Sequence, residues 1–141
     1  MKHLLSVEDH NFRRQFEACK FPPTEFNHRA HIKLAYVYLS EPDTDTAHQL
    51  MRGALLSFLQ YHGVDVSKYH ETITRAWIMA VRHFMENTPS SESSDVFIEK
   101  NPSMLDSKIM MTHYSAEVLF SDEARAKFVE PNLDPIPKYG R

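Results

Sequence analysis

Apolar side chains recur at helical spacing through most of this chain, and no stretch alternates as a half-buried strand would. Phe12, Phe16 and Cys19 follow Ser6, with Glu8 and Asp9 in the first turn. That is the signature of a capped helix over residues 6–20, ended by Pro22 and Pro23. Asn27 caps a second segment, where Ile32, Ala35, Tyr36 and Leu39 make one stripe and His28, His31, Ala35 and Tyr38 an overlapping one, closed by Pro42. The run Asp43-Thr44-Asp45-Thr46 starts a third helix. There Ala47, Leu50, Met51, Ala54, Leu55, Phe58 and Leu59 fit the amphipathic template, and Gly63 supplies the C′ residue.

A fourth helix is expected from about residue 69 to 86, with His70, Thr74, Trp77, Val81 and Phe84 on its inward face and Ile73, Ala76, Ala80 and Met85 broadening it. A helix with so few charges around its circumference is expected to be surrounded by others. The serine-rich stretch 90–94 reads as a mobile loop, followed by short helical pieces at 95–100 and 104–111. Ser115 then caps residues 116–120 and Ser121 caps 122–129. The prolines at 131, 135 and 137 forbid helix and predict an extended tail over 130–141, laid on the body. The expected fold is all-α, a single domain over 1–141: a compact bundle of about five to seven helices around the 69–86 helix.

Composition narrows the function classes. With 141 residues the chain is long enough for one real core and too short for two ordinary domains. Three glycines against eight prolines leave few positive-φ turns, which disfavours a hairpin-built sheet. A net charge of -3 without a Lys/Arg block argues against nucleic acid. No run approaches the ~18 apolar residues of a membrane span. The first ten residues lack the apolar core of a secretory signal, so a cytoplasmic location is expected. Cys19 can make no internal disulfide and reads as a small apolar side chain.

Nine histidines are many for this length, and they carry the candidate chemistry. His28 and His31 point the same way from one helix, His70 and Glu71 open another, and His113 sits where a break can turn a side chain inward. Imidazoles and a carboxylate on facing helices are the usual means of holding Zn, Fe, Mn or Ni in a helical domain, so His28, His31, His70 and His113 are the candidate metal ligands. Without a metal, a histidine beside Glu71 is a candidate general base, with Tyr114 or Tyr69 as acid or donor. Thr74, Trp77 and Arg125 are the candidate substrate contacts, and Arg29, Arg75 or Arg125 could hold a carboxylate or phosphate. His3, His10, His48, His62 and His83 fall on polar faces or at helix ends and are expected at the surface. No His-Glu-x-x-His, Cys-x-x-Cys or Gly-x-Ser-x-Gly is present.

Phe26-Asn27-His28-Arg29-Ala30-His31-Ile32, Tyr69-His70-Glu71-Thr72-Ile73-Thr74 with Trp77, and His113-Tyr114-Ser115 followed by Leu119-Phe120-Ser121 and Ala124-Arg125 form a specific combination. With the closing Pro131-Asn132-Leu133-Asp134-Pro135-Ile136-Pro137, the chain resembles a family of short, uncharacterised bacterial all-α proteins. The resemblance runs from about residue 11 to 137 and implies one self-contained helical domain, without an activity. Taken together, the leading expectation is a small enzyme, metal-dependent or not, acting on a small polar metabolite in a His/Glu-lined pocket between helices. The alternatives are a non-catalytic module that binds a small anion, and a structural protein whose histidines only bond to neighbours.

Overall fold

The computed structural model of the chain describes residues 2–40 and 43–139. Helix dominates: α1 (Val7–Glu17), α2 (His28–Leu39), α3 (Thr44–Tyr61), α4 (Glu71–Glu86), α5 (Ser94–Lys100), α6 (Ala116–Leu119) and α7 (Asp122–Ala126), with 3-10 turns between several of them. The strand structure among the described residues is a two-residue parallel pairing of Lys2 with Ser90 and His3 with Ser91. The fold class is all-α, as the spacing predicts. Among the described residues no helix is long and apolar enough to cross a membrane.

Each long helix begins on a side chain that accepts one of its free N–H groups. Ser6 accepts from Asp9 N while the Asp9 carboxylate accepts from Ser6 N, a reciprocal capping box. Asn27 accepts from Ala30 N and Asp43 from Thr46 N. The cap of α4 is His70, whose Nδ1 accepts from Ile73 N at 3.1 Å. This corrects its expected place on the helical face: its φ of -125° and ψ of 108° are extended, and the imidazole does the work usually given to a serine or aspartate oxygen.

Two helices end in the same hydrogen-bonded turn, built from different residues. After α3, Gly63 (φ 71°) donates to Gln60 O and Val64 to Leu59 O. After α1, Cys19 (φ 60°) donates to Phe16 O and Lys20 to Gln15 O. The expected helix to residue 20 therefore stops at Glu17, with a cysteine in the left-handed position where glycine is favoured.

The core lies between α2 and α4, which pack on each other and on α3. Leu34, Ala35, Tyr36, Val37, Tyr38 and Leu39 are all at most 4% exposed, so the C-terminal half of α2 is enclosed on every side rather than along one stripe. α4 also meets α7, where Thr72 Oγ1 donates to Lys127 O at 2.8 Å and accepts from Val129 N at 3.0 Å.

The serine-rich stretch is not the mobile loop that its polarity suggests. Ser91 and Ser94 are buried. Ser91 Oγ lies 2.6 Å from His3 Nδ1 and 2.8 Å from Tyr36 Oη, while Ser94 donates to Asp9 through both N and Oγ. His3 itself, expected at the surface, is buried against Tyr36 and Phe97 with Nε2 2.9 Å from Met85 O. These serines are polar because they satisfy buried partners, not because they face water.

Candidate functional site

Charged side chains of α3 and α4 meet where the two helices face each other. His48, expected at the surface, is 2% exposed and lies between Glu71 and Arg75. Arg75 Nη1 is 3.3 Å from His48 Nδ1; a guanidinium can only donate, so Nδ1 accepts and the imidazole proton sits on Nε2. That Nε2 is buried without a hydrogen bond, 3.4 Å from Glu71 Oε2. Burial pushes the His48 pKa below the ordinary imidazole value; Glu71 works against this, and Arg75 and Arg52 add to it. The ring is therefore neutral at pH 7.

The groups around the imidazole are held in turn. Glu71 Oε1 accepts from Tyr69 Oη at 2.7 Å and lies 3.6 Å from Arg52 Nε. Burial, then the bond to Glu71, raises the Tyr69 phenol, so it stays a donor. Arg75 donates to Asp45 at 2.7 Å and lies over the Phe128 ring at 5.4 Å. His48, Glu71, Arg75, Asp45 and Phe128 line a recess of about 550 Å³, within the usual range for small-molecule sites. Thr44 lines it too, with a buried hydroxyl that makes no hydrogen bond. Arg82, Lys138 and Tyr139 complete its wall; Arg82 is paired with Glu86 at 2.8 Å and Lys138 with Glu130 at 3.1 Å.

His48 was legible in the spacing. It stands three, seven and ten positions before Met51, Leu55 and Phe58, all buried, and so shares their face. Leu50, assigned to the apolar stripe, is 40% exposed. Judging a residue by its polarity rather than by its register reversed the two.

Of the candidate ligands read from the sequence, His28, His31 and His70 line two recesses that share walls, and His113 stands apart. His28 Nε2 lies 2.9 Å from Met104 O and its ring meets Trp77 edge-on at 4.8 Å. His70 has both nitrogens engaged, Nδ1 by Ile73 N and Nε2 by Leu119 O at 2.8 Å. His113 Nδ1 is 2.7 Å from Asp134 O, beside the backbone bond from Leu133 N to His113 O. The His31 ring alone of the four makes no hydrogen bond among the described residues; burial, then the neighbouring His28, pushes its pKa down to about 4. Among the described residues, no group of three or more His, Cys, Asp or Glu side chains stands in a position to hold a metal ion.

The remaining candidates divide in the same way. Tyr114 is fully buried and donates to Val129 O at 2.6 Å. Trp77 and Thr74 are buried on α4. Trp77 lines a recess of about 390 Å³ with His28 and His31, and Thr74 lines one of about 500 Å³ with His31, His70 and Arg125. Of the arginines, Arg75 reaches the charged recess, Arg125 donates to Ser67 O at 3.1 Å, and Arg29 pairs with Asp95 at 3.0 Å. No family model, curated protein or solved structure matches the chain.

Proposed function

We propose that this protein is a small enzyme acting on a small polar metabolite in the recess between α3 and α4, with His48 and Glu71 as its acid–base pair. The observation that carries the reading is the His48 imidazole, buried and neutral, whose Nε2–H has the Glu71 carboxylate 3.4 Å away but makes no aligned hydrogen bond to it. An unpaired buried donor costs about 1–3 kcal/mol, a cost that a substrate oxygen would relieve. Glu71 takes or returns the proton, fixed by Tyr69 and Arg52. Arg75 orients a carboxylate or phosphate of the substrate through the donors left after Asp45 and His48. In this reading the helices form a compact bundle around α4, and the proline-rich tail lies on its outside, lending Pro137, Lys138 and Tyr139 to the recess. The likeness to short bacterial proteins supplies no activity, so the proposal rests on this geometry.

A non-catalytic anion-binding module is the second reading; it rests on Arg75, whose guanidinium keeps donors beyond those given to Asp45 and His48, since Arg82 and Lys138 in the same recess are paired with Glu86 and Glu130. Both readings are tested by melting the protein against a library of small charged metabolites and then following each stabilising compound by mass spectrometry. The enzyme reading expects turnover that falls about 100-fold or more in His48→Gln and Glu71→Gln while binding persists. Binding without turnover selects the module, and the absence of any stabilising compound contradicts both. Elemental analysis of untagged protein, with melting before and after chelator, tests a divalent metal.

A further inference from the structure

A second cavity differs from the charged recess in every respect that governs what it can hold. The recesses of about 500 and 390 Å³ share Phe26, His31, Ile73 and Phe120, where they meet to form one cleft. Its larger part is walled by Leu55, Phe58 and Ile73 and edged by Lys68 and Arg125. No aspartate or glutamate lines either part. Among the described residues neither Lys68 nor Arg125 has a carboxylate within ion-pair distance; Arg125 spends one donor on Ser67 O. In the charged recess Arg75, Arg82 and Lys138 are each already paired.

We propose that this cleft is a separate small-molecule site for an organic monocarboxylate with an aromatic or branched apolar body. The carboxylate lies toward Lys68 and Arg125 at the mouth, the body rests on Phe26, Phe58, Ile73 and Phe120, and a hydroxyl on the body meets the His31 ring. Three observations converge on this class. Neither cation makes an ion pair among the described residues, Asp65 near Lys68 being bonded to Ser67 N; this suits one negative charge and no positive one. The walls are apolar, and Phe120 is 60% exposed although it borders the cavity, so a ligand body would cover surface that water now touches. His31 stands at the junction of the two parts with no hydrogen bond among the described residues, whereas His28 and His70 on either side are committed to Met104 O and Leu119 O. A ligand that is all apolar would leave both the ring and the cations unused.

The probes are phenylacetate, 4-hydroxyphenylacetate and the neutral phenylacetamide, titrated into the full chain by calorimetry and by NMR. Phenylacetate is expected to bind at least tenfold more tightly than phenylacetamide. Lys68→Gln combined with Arg125→Gln should abolish that tenfold preference while leaving the melting temperature within two degrees, because both side chains are at the surface. The 4-hydroxy compound should gain a further threefold or more over phenylacetate, and His31→Phe should remove that gain alone. Shift changes should centre on His31, Ile73 and Phe120, not on His48, which separates this site from the charged recess. Equal affinity for acid and amide, binding unaltered in the double variant, shifts centred on His48, or no saturable binding of any of the three probes would each overturn the proposal.

Discussion

Cys19 and Gly63 occupy equivalent backbone positions, and only one of them is a residue suited to it. A non-glycine residue in the left-handed region pays about 1–2 kcal/mol, offset in part by the extra freedom glycine has when unfolded. Cys19→Gly is therefore expected to raise the unfolding free energy by about 0.5–1 kcal/mol in urea titration, and Gly63→Ala to lower it by about 1 kcal/mol. Nothing lies within 4 Å of a Cβ placed at Gly63, so that loss would be conformational rather than steric. His31 gives a second test. Folded, its imidazole protonates only near pH 4; unfolded, it does so near its ordinary 6.5. The unfolded chain thus binds more protons between those values, so the contribution is complete above pH 6.5 and is lost as the pH falls toward 4. His31→Gln should flatten the stability-against-pH curve in that window, removing roughly 2–3 kcal/mol of its drop. An unchanged slope would mean that the ring titrates normally.

At the scale of elements, Asp9 ties the start of α1 to the start of α5. It completes the capping box of α1 and accepts from both N and Oγ of Ser94 at the start of α5. Burial works to raise its carboxyl, and the bonds from Ser94 and Ser6, with Lys33 nearby, overcome that and hold it below the usual carboxylate value. Asp9→Ala should cost about 3 kcal/mol, against about 1 kcal/mol for Ser6→Ala, and amide exchange in residues 90–94 should speed up only in the Asp9 variant. This joint also marks how far the sequence could be read. The caps Ser6, Asn27, Ser115 and Ser121 and the stop at Gly63 announce themselves locally, because each acts on residues three or four positions away. The partners of Ser91 and Ser94 lie more than fifty positions distant, and nothing local distinguishes a serine facing water from one facing Asp9. His70 shows the same limit: its inward placement was legible, but its service as a cap and its bond to Leu119 O needed the fold. His48 was a different failure, since its register was available and its polarity was allowed to outweigh it.

Across the whole molecule, two cavities on different faces of α4 divide the polar chemistry between them. Glu71 and Arg75 face the charged recess, and Ile73 and Thr74 face the apolar cleft. Of the imidazoles expected to share one cavity, His28, His31 and His70 line the apolar cleft and His113 does not, while the histidine beside Glu71 comes from α3 instead. The account stands on His48 being a buried, neutral ring with its proton on Nε2. Long-range proton–nitrogen NMR of the imidazole side chains reads this directly. At pH 7 the account predicts one protonated and one bare ring nitrogen for His48, in a single tautomer that persists on acidification below pH 6.5. A ring that averages two tautomers and titrates as a free histidine, or one already charged at pH 7, would contradict it.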